Sequence, residues 1–135
     1  MSFLLDTNVC IQLLNQQHST LAQRLASVPR NEVALSSITK AELFFGAYGS
    51  ARREANLSLL RRFFQEFVTL PFDEKCEEVY GMVRAALRFA GTPIGPNDLL
   101  IAATALANDC TIVTRNTGEF GRVKGLRVED WETAP

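Results

Sequence analysis

The sequence has one histidine, three cysteines and almost no surplus of either charge. Each scarcity excludes something. The only histidine, His18, stands in the polar stretch QQHST and reads as a surface residue, neither ligand nor base. The cysteines, Cys10, Cys76 and Cys110, are odd in number, show no C-x-x-C spacing and lie in apolar stretches. That argues against zinc ligation and disulfides, and for buried free thiols in a reducing cytosol. A net charge of −1 supplies no basic field over the whole molecule. A polyanionic partner would have to be met by local patches or through a metal. The longest apolar run, Leu99–Ala107, is too short to cross a bilayer. No signal peptide is expected, because Asp6 interrupts the apolar opening and the first positive side chain is Arg24. Repeats, low-complexity tracts and internal linkers are missing, so 1–135 reads as one domain with enough chain for a real core.

What remains is an alternation of short apolar strands and helices. Strands are predicted over Phe3–Leu5, Val33–Leu35, Val68–Leu70, Thr111–Thr114 and Leu126–Val128. Helices are predicted over Thr7–Asn15, Thr20–Ser27, Thr39–Tyr48, Arg52–Phe67, Asp73–Ala90 and Asp98–Asn108, with a short turn at Asn116–Arg122. Glu132–Pro135 is expected to fray. The pattern argues for an α/β domain with a largely parallel sheet of four to five short strands flanked by helices.

Acidic residues then recur in similar contexts. Asp6 follows the first strand and opens a helix. Glu42 is expected in the first turn of the helix after Val33–Leu35. Asp98 opens the apolar helix, and Asn116 and Glu119 follow Thr111–Thr114. Helix capping explains each one singly. Thr39-Lys40-Ala41-Glu42 matches a capping box, and Asn116-Thr117-Gly118-Glu119 resembles one. A cap, however, is worth only about 1 kcal/mol, and Ser or Thr would serve as well. In a parallel sheet the strand C-termini share one edge, where such folds place their sites. Carboxylates gathered there repel one another unless helix N-termini or a cation compensate. An oxygen-only cluster suits Mg²⁺ or Mn²⁺, not zinc.

Four stretches in this order resemble the PIN-domain nucleases, and among them the VapC-type toxins of toxin–antitoxin pairs. They are LLDTNVCIQLL, ALSSITKAELFFGA, GTPIGPNDLLIAATAL and CTIVTRNTGEFGRVKGLRVEDW, and they span nearly the whole chain. The resemblance implies a three-layer fold and an Mg²⁺- or Mn²⁺-dependent endoribonuclease, with hydrolysis by a metal-activated water. Asp6, Glu42 and Asp98 match the first three acids of the family's quartet. Many PIN domains have an aspartate where this chain has Asn116. Glu119, one turn later, is the natural substitute, and Asn116 still offers a carbonyl oxygen. The resemblance thus implies Asp6, Glu42, Asp98 and Glu119 as catalytic acids, with Asn116 beside the metal. Thr7 and Thr114 would be hydroxyl neighbours of the pocket.

Arg115 and Arg122 flank the last acids and are the preferred phosphate contacts. Arg52, Arg53, Arg61, Arg62, Arg84, Arg88 and Lys124 are further candidates, most of which read better as solvated surface charge. The lone histidine excludes histidine acid–base cleavage through a cyclic phosphate. The family further implies a VapB-type antitoxin, whose amphipathic segment would lie in a groove near Leu43–Tyr48 and Leu57–Phe67. It also implies a homodimer and an RNA substrate, structured and tRNA-like. Two other readings stand beside this one. Receiver and phosphatase domains also end a strand on aspartate, but the phosphatases' second Asp two positions on is Asn8 here, and neither the receivers' paired acids before the first helix nor their late lysine stands out. A catalytically weak PIN fold that only binds RNA or protein is the alternative.

Overall fold

A computed structural model describes residues 2–15 and 19–133. His18 lies outside them, as do Ala134 and Pro135 of the segment expected to fray. The strands are β1 (Ser2–Leu5), β2 (Val33–Ser36), β3 (Val68–Leu70), β4 (Cys110–Val113) and β5 (Val128–Glu129). The helices are α1 (Thr7–Leu14), α2 (Ser19–Ala26), α3 (Ser37–Tyr48), α4 (Arg53–Phe64), α5 (Glu74–Ala90), α6 (Pro96–Ala107) and α7 (Thr117–Phe120). The last strand is shorter and later than Leu126–Val128. Its two residues pair with Ile112 and Val113 only, where the outer edge of the sheet ends.

The five strands form one sheet in the order β3-β2-β1-β4-β5, and every pairing is parallel. Side chains alternate across it as the pleat requires. Leu5, Val33, Leu35 and Val113 enter one core, with Val9, Leu21, Leu43, Leu60 and Trp131. Leu4, Ala34 and Ile112 enter the other, with Leu87, Ile101, Ala102 and Phe120. Helices therefore cover both faces, and the middle strands are mostly apolar because their faces are shielded from water. Cys10, Cys76 and Cys110 are buried free thiols.

Strand order reverses at β1, whose successor β2 lies on one side while β4 lies on the other. At such a reversal the connections leave in opposite directions and open a crevice beyond the strand C-termini. The crevice here stands between the ends of β1 and β4, where Asp6 and Thr114 emerge. Among the described residues, no helix is long and apolar enough to cross a membrane.

Candidate active site

Asp6 extends the ladder one residue past β1, its N–H donating to Val113 O at 3.0 Å. As N-cap of α1 it accepts the Thr7 N–H on Oδ1 at 2.6 Å. Its Oδ2 accepts the Thr114 hydroxyl at 2.7 Å. The residue is only 3% exposed. Burial raises its carboxyl pKa, the bonds from Thr114 and Thr7 pull it back, and Glu42 and Glu119 add repulsion. Thr114 Oγ1 also accepts the Asn116 N–H at 2.9 Å, so one hydroxyl shapes the turn and holds the acid.

Glu42 lies in the second turn of α3, not the first. Ser36, the buried last residue of β2, is the N-cap, and its Oγ accepts the Thr39 N–H at 3.0 Å. Because Ser36 already caps three residues earlier, no capping box forms between Thr39 and Glu42. Glu42 instead reaches the crevice. Its Oε1 accepts the Thr7 hydroxyl at 2.7 Å and its Oε2 accepts Asn97 Nδ2 at 3.0 Å.

Asp98 is the third residue of α6, which begins at Pro96 behind the Gly95 cap. Proline suits the first helical position because its missing N–H would have no helical partner there. Burial, then Asp6, Glu119 and Glu42, push the Asp98 carboxyl up to about 6. Glu119 is shifted the other way. Its Oε1 accepts the Gly95 N–H at 2.6 Å and its Oε2 accepts Asn116 Nδ2 at 2.9 Å, which holds the carboxylate below the usual range. The two carboxyls also act on each other, Glu119 adding to the rise of Asp98.

Asn116 stands at the N-cap of α7 but makes no side-chain cap bond. The second capping box is thus also absent: the Asn116 N–H that Glu119 would accept goes to Thr114 Oγ1, and Glu119 meets the Asn116 Nδ2 instead. Arg122 Nη1 donates to Pro93 O at 2.9 Å and so steadies the loop leading to Gly95. Arg115 is exposed, and its charge is felt by Asp130.

All four acids therefore converge on one crevice, although they come from α3, α6, α7 and the end of β1. The sequence reading overlooked Asn97 and Ser36. Asn97 adjoins Asp98, but nothing local signals its contact with Glu42, 55 residues away. A groove of about 880 Å³ runs from Thr7, Glu42 and Asn97 past Ile11 and Leu59 to Phe45. Phe45 is 82% exposed at its wall.

The donors fit a hard divalent cation in kind, being carboxylate oxygens without histidine or thiolate. Burial, and after it the neighbouring carboxylates, raise Asp6 and Asp98, and a cation would offset both costs. Among the described residues, no three His, Cys, Asp or Glu side chains already close around a point where an ion would sit. Glu42 and Glu119 are instead turned to neutral donors on their own sides of the crevice.

The PIN domain family model matches residues 3–126. The chain is 38% identical over 133 residues to ribonuclease VapC2 of Rickettsia felis, covering 98% of this chain and 99% of that protein. It is 37% identical to the tRNA(fMet)-specific endonuclease VapC of Shigella flexneri, covering 97% of this chain and 98% of that protein. Its fold matches DNA-bound VapBC from Salmonella typhimurium with a TM-score of 0.92 and 36% identity, over 97% of this chain and 98% of that one.

Proposed function

The chain belongs to the PIN-domain family, and on that footing we propose that it is the ribonuclease toxin of a VapBC-type toxin–antitoxin pair. The observation that carries the reading is the convergence of Asp6, Glu42, Asp98 and Glu119 on the crevice where strand order reverses. The reaction is hydrolysis of an RNA phosphodiester by water, giving a 5′-phosphate end. The likeness to a tRNA(fMet)-specific endonuclease supports a tRNA substrate. Growth arrest through loss of translation follows from that substrate.

Asp6 and Asp98 would hold Mg²⁺ or Mn²⁺ directly, with Glu119 and Asn116 completing one side and Glu42 the other. A bound divalent ion lowers the pKa of a coordinated water and offsets phosphate charge. The protein's own contributions are positional. Thr114 and the Thr7 amide keep Asp6 aimed at the crevice despite its burial. Glu119 ties α7 to the start of α6 and so sets Asp98 against the β1 edge. Glu42 orients the attacking water from the α3 side. Arg122, already fixed beside Pro93, and Arg115 take the flanking phosphates.

The groove ending at Glu42 is where the antitoxin lies. Ile11, Leu59 and Phe45 offer an apolar wall to an amphipathic segment, and a basic side chain at its end would meet the acids. Two copies would pair through exposed apolar helix faces such as Met82 and Phe89 of α5. Three buried free thiols fit the reducing cytoplasm.

The test is cleavage of total tRNA by purified protein, with end mapping and Asp98→Asn as control. Metal-dependent cuts with 5′-phosphate ends support the reading. Cyclic-phosphate ends, or RNA binding without any cleavage, overturn it.

A further inference from the structure

Three hydroxyls line up behind Glu42. Thr7 Oγ1 donates to Glu42 Oε1 at 2.7 Å, and Thr39 Oγ1 lies 3.0 Å from Thr7 Oγ1. Ser36 Oγ donates to Thr39 Oγ1 at 3.2 Å. A hydroxyl has one proton to give. Thr7 gives its proton to the carboxylate, so between Thr7 and Thr39 the donor is Thr39. Thr39 in turn accepts from Ser36. All three protons therefore point along one chain, Ser36 to Thr39 to Thr7, toward Glu42. Such aligned bonds polarise one another and strengthen the last, charge-assisted member.

Ser36 and Thr39 are fully buried, so water does not compete with the chain at its source. The same Ser36 oxygen caps α3, which anchors the chain to the end of β2. On the other oxygen of Glu42 stands Asn97, the second residue of α6, donating at 3.0 Å from a different layer of the fold. The Glu42 carboxylate is thus held from both sides, by α1 on Oε1 and α6 on Oε2. One lone pair on each oxygen stays free for water or a cation.

We propose that Asn97, together with the Ser36–Thr39–Thr7 hydroxyl chain, is a positioning element that sets the Glu42 carboxylate for the RNA-cleaving reaction. Asn97 is the member that can be tested without disturbing the fold, because it is exposed while Ser36 and Thr39 are core. The inference rests on the ribonuclease reading for its purpose, not for its geometry. Residues that orient a metal-site ligand typically change affinity or activity by ten- to a hundred-fold.

The experiment is a double-mutant cycle of Asn97→Ala and Glu42→Gln, read as Mn²⁺ affinity by electron paramagnetic resonance and as kcat and KM on tRNA. Thermal melts confirm that each variant is folded. Asn97→Ala is expected to weaken Mn²⁺ binding and lower kcat by about tenfold, with KM little changed. In the Glu42→Gln background it should cost nothing further, because its effect passes through Glu42. Asn97→Gln, which keeps the amide donor, should recover part of the loss. Thr39→Val should show the same dependence on Glu42. Additive losses, or wild-type values for Asn97→Ala, overturn the proposal, as does a wild type that binds no Mn²⁺. Coupled Mn²⁺ affinities in a protein that does not cut RNA would uphold the positioning role and overturn the ribonuclease reading.

Discussion

The hydroxyl of Thr114 donates to Asp6 Oδ2 at 2.7 Å, joining residues 108 positions apart at the ends of two neighbouring strands. The acid is almost wholly buried, so this bond and the Thr7 amide are what make an aspartate tolerable there. Replacing Thr114 by valine keeps the shape and removes the donor. A lost hydrogen bond to a buried charge is worth about 1.5–3 kcal/mol. Thr114→Val should lose that much stability at pH 7 in urea denaturation and much less at a pH where Asp6 is protonated. Equal losses at both pH values would mean that packing and the bond from the Asn116 N–H, not the bond to a carboxylate, are the contribution of Thr114.

Trp131 carries a second prediction. It is 2% exposed, packs on Phe3 with ring centroids 5.1 Å apart, and donates from Nε1 to Glu129 Oε1 at 2.9 Å. Trp131 therefore closes the core beneath α1 and α2, with Val9, Leu21 and Leu25. Trp131→Ala should cost about 3–5 kcal/mol, as large aromatic truncations in cores do. Truncation after Asp130 should cost as much, seen as a lower midpoint in urea. A loss under 1 kcal/mol would place Trp131 outside the cooperative core.

The contrast between Asp6 and Glu42 shows what was legible in the sequence. Asp6 could be placed because it directly follows an apolar strand, and parallel topology carries strand ends to one edge; Thr114, expected as the last residue of its strand, lies one residue past β4 at that same edge. The start of α3 could not be settled from SSITKAE, since Ser36, Ser37 and Thr39 all make acceptable caps. Ser36 wins because β2 carries it into the core, where its oxygen needs a donor and finds the Thr39 amide. That is a tertiary decision, and it moves Glu42 one turn along the helix. At α7 the difference is local first, the Asn116 amide donating to Glu119 three residues on, and tertiary second, the Glu119 carboxylate accepting the Gly95 N–H across the crevice. Asn97 gave no signal at all, because its partner is set by how α6 packs against α3.

The groove makes Phe45 the residue to change for antitoxin binding. Its ring is 82% exposed on α3 while Leu43, two residues earlier, is core. Apolar anchors in such grooves commonly carry about 2 kcal/mol or more, which is roughly 30-fold in affinity. Phe45→Glu should weaken antitoxin binding by that factor in a calorimetric titration, with a circular dichroism melt unchanged. Affinity equal to wild type would move the antitoxin off this groove.

The acids at the crevice set a trade between stability and function that pH can expose. Asp98 stands at about 6 in the folded protein against an ordinary 3.8, and Asp6 is raised in the same direction. Between the ordinary value and the raised one, the folded state binds more protons than the unfolded state, so stability falls as pH rises through that window and stays reduced above it. Glu119 acts oppositely, its contribution being lost as pH drops below its ordinary 4.5 toward its lowered value. In a chelator, the melting temperature should therefore decline from about pH 4 to about pH 6 through Asp98 and Asp6. Asp98→Asn removes the largest part of that decline, and it should melt higher than wild type at pH 7 while losing cleavage. Adding Mg²⁺ should then raise the wild-type midpoint by preferential binding to the folded state. It should leave Asp98→Asn nearly where it was. If Asp98→Asn melts below wild type at pH 7 without metal, then burying this carboxyl among other acids does not cost the fold what its raised pKa describes.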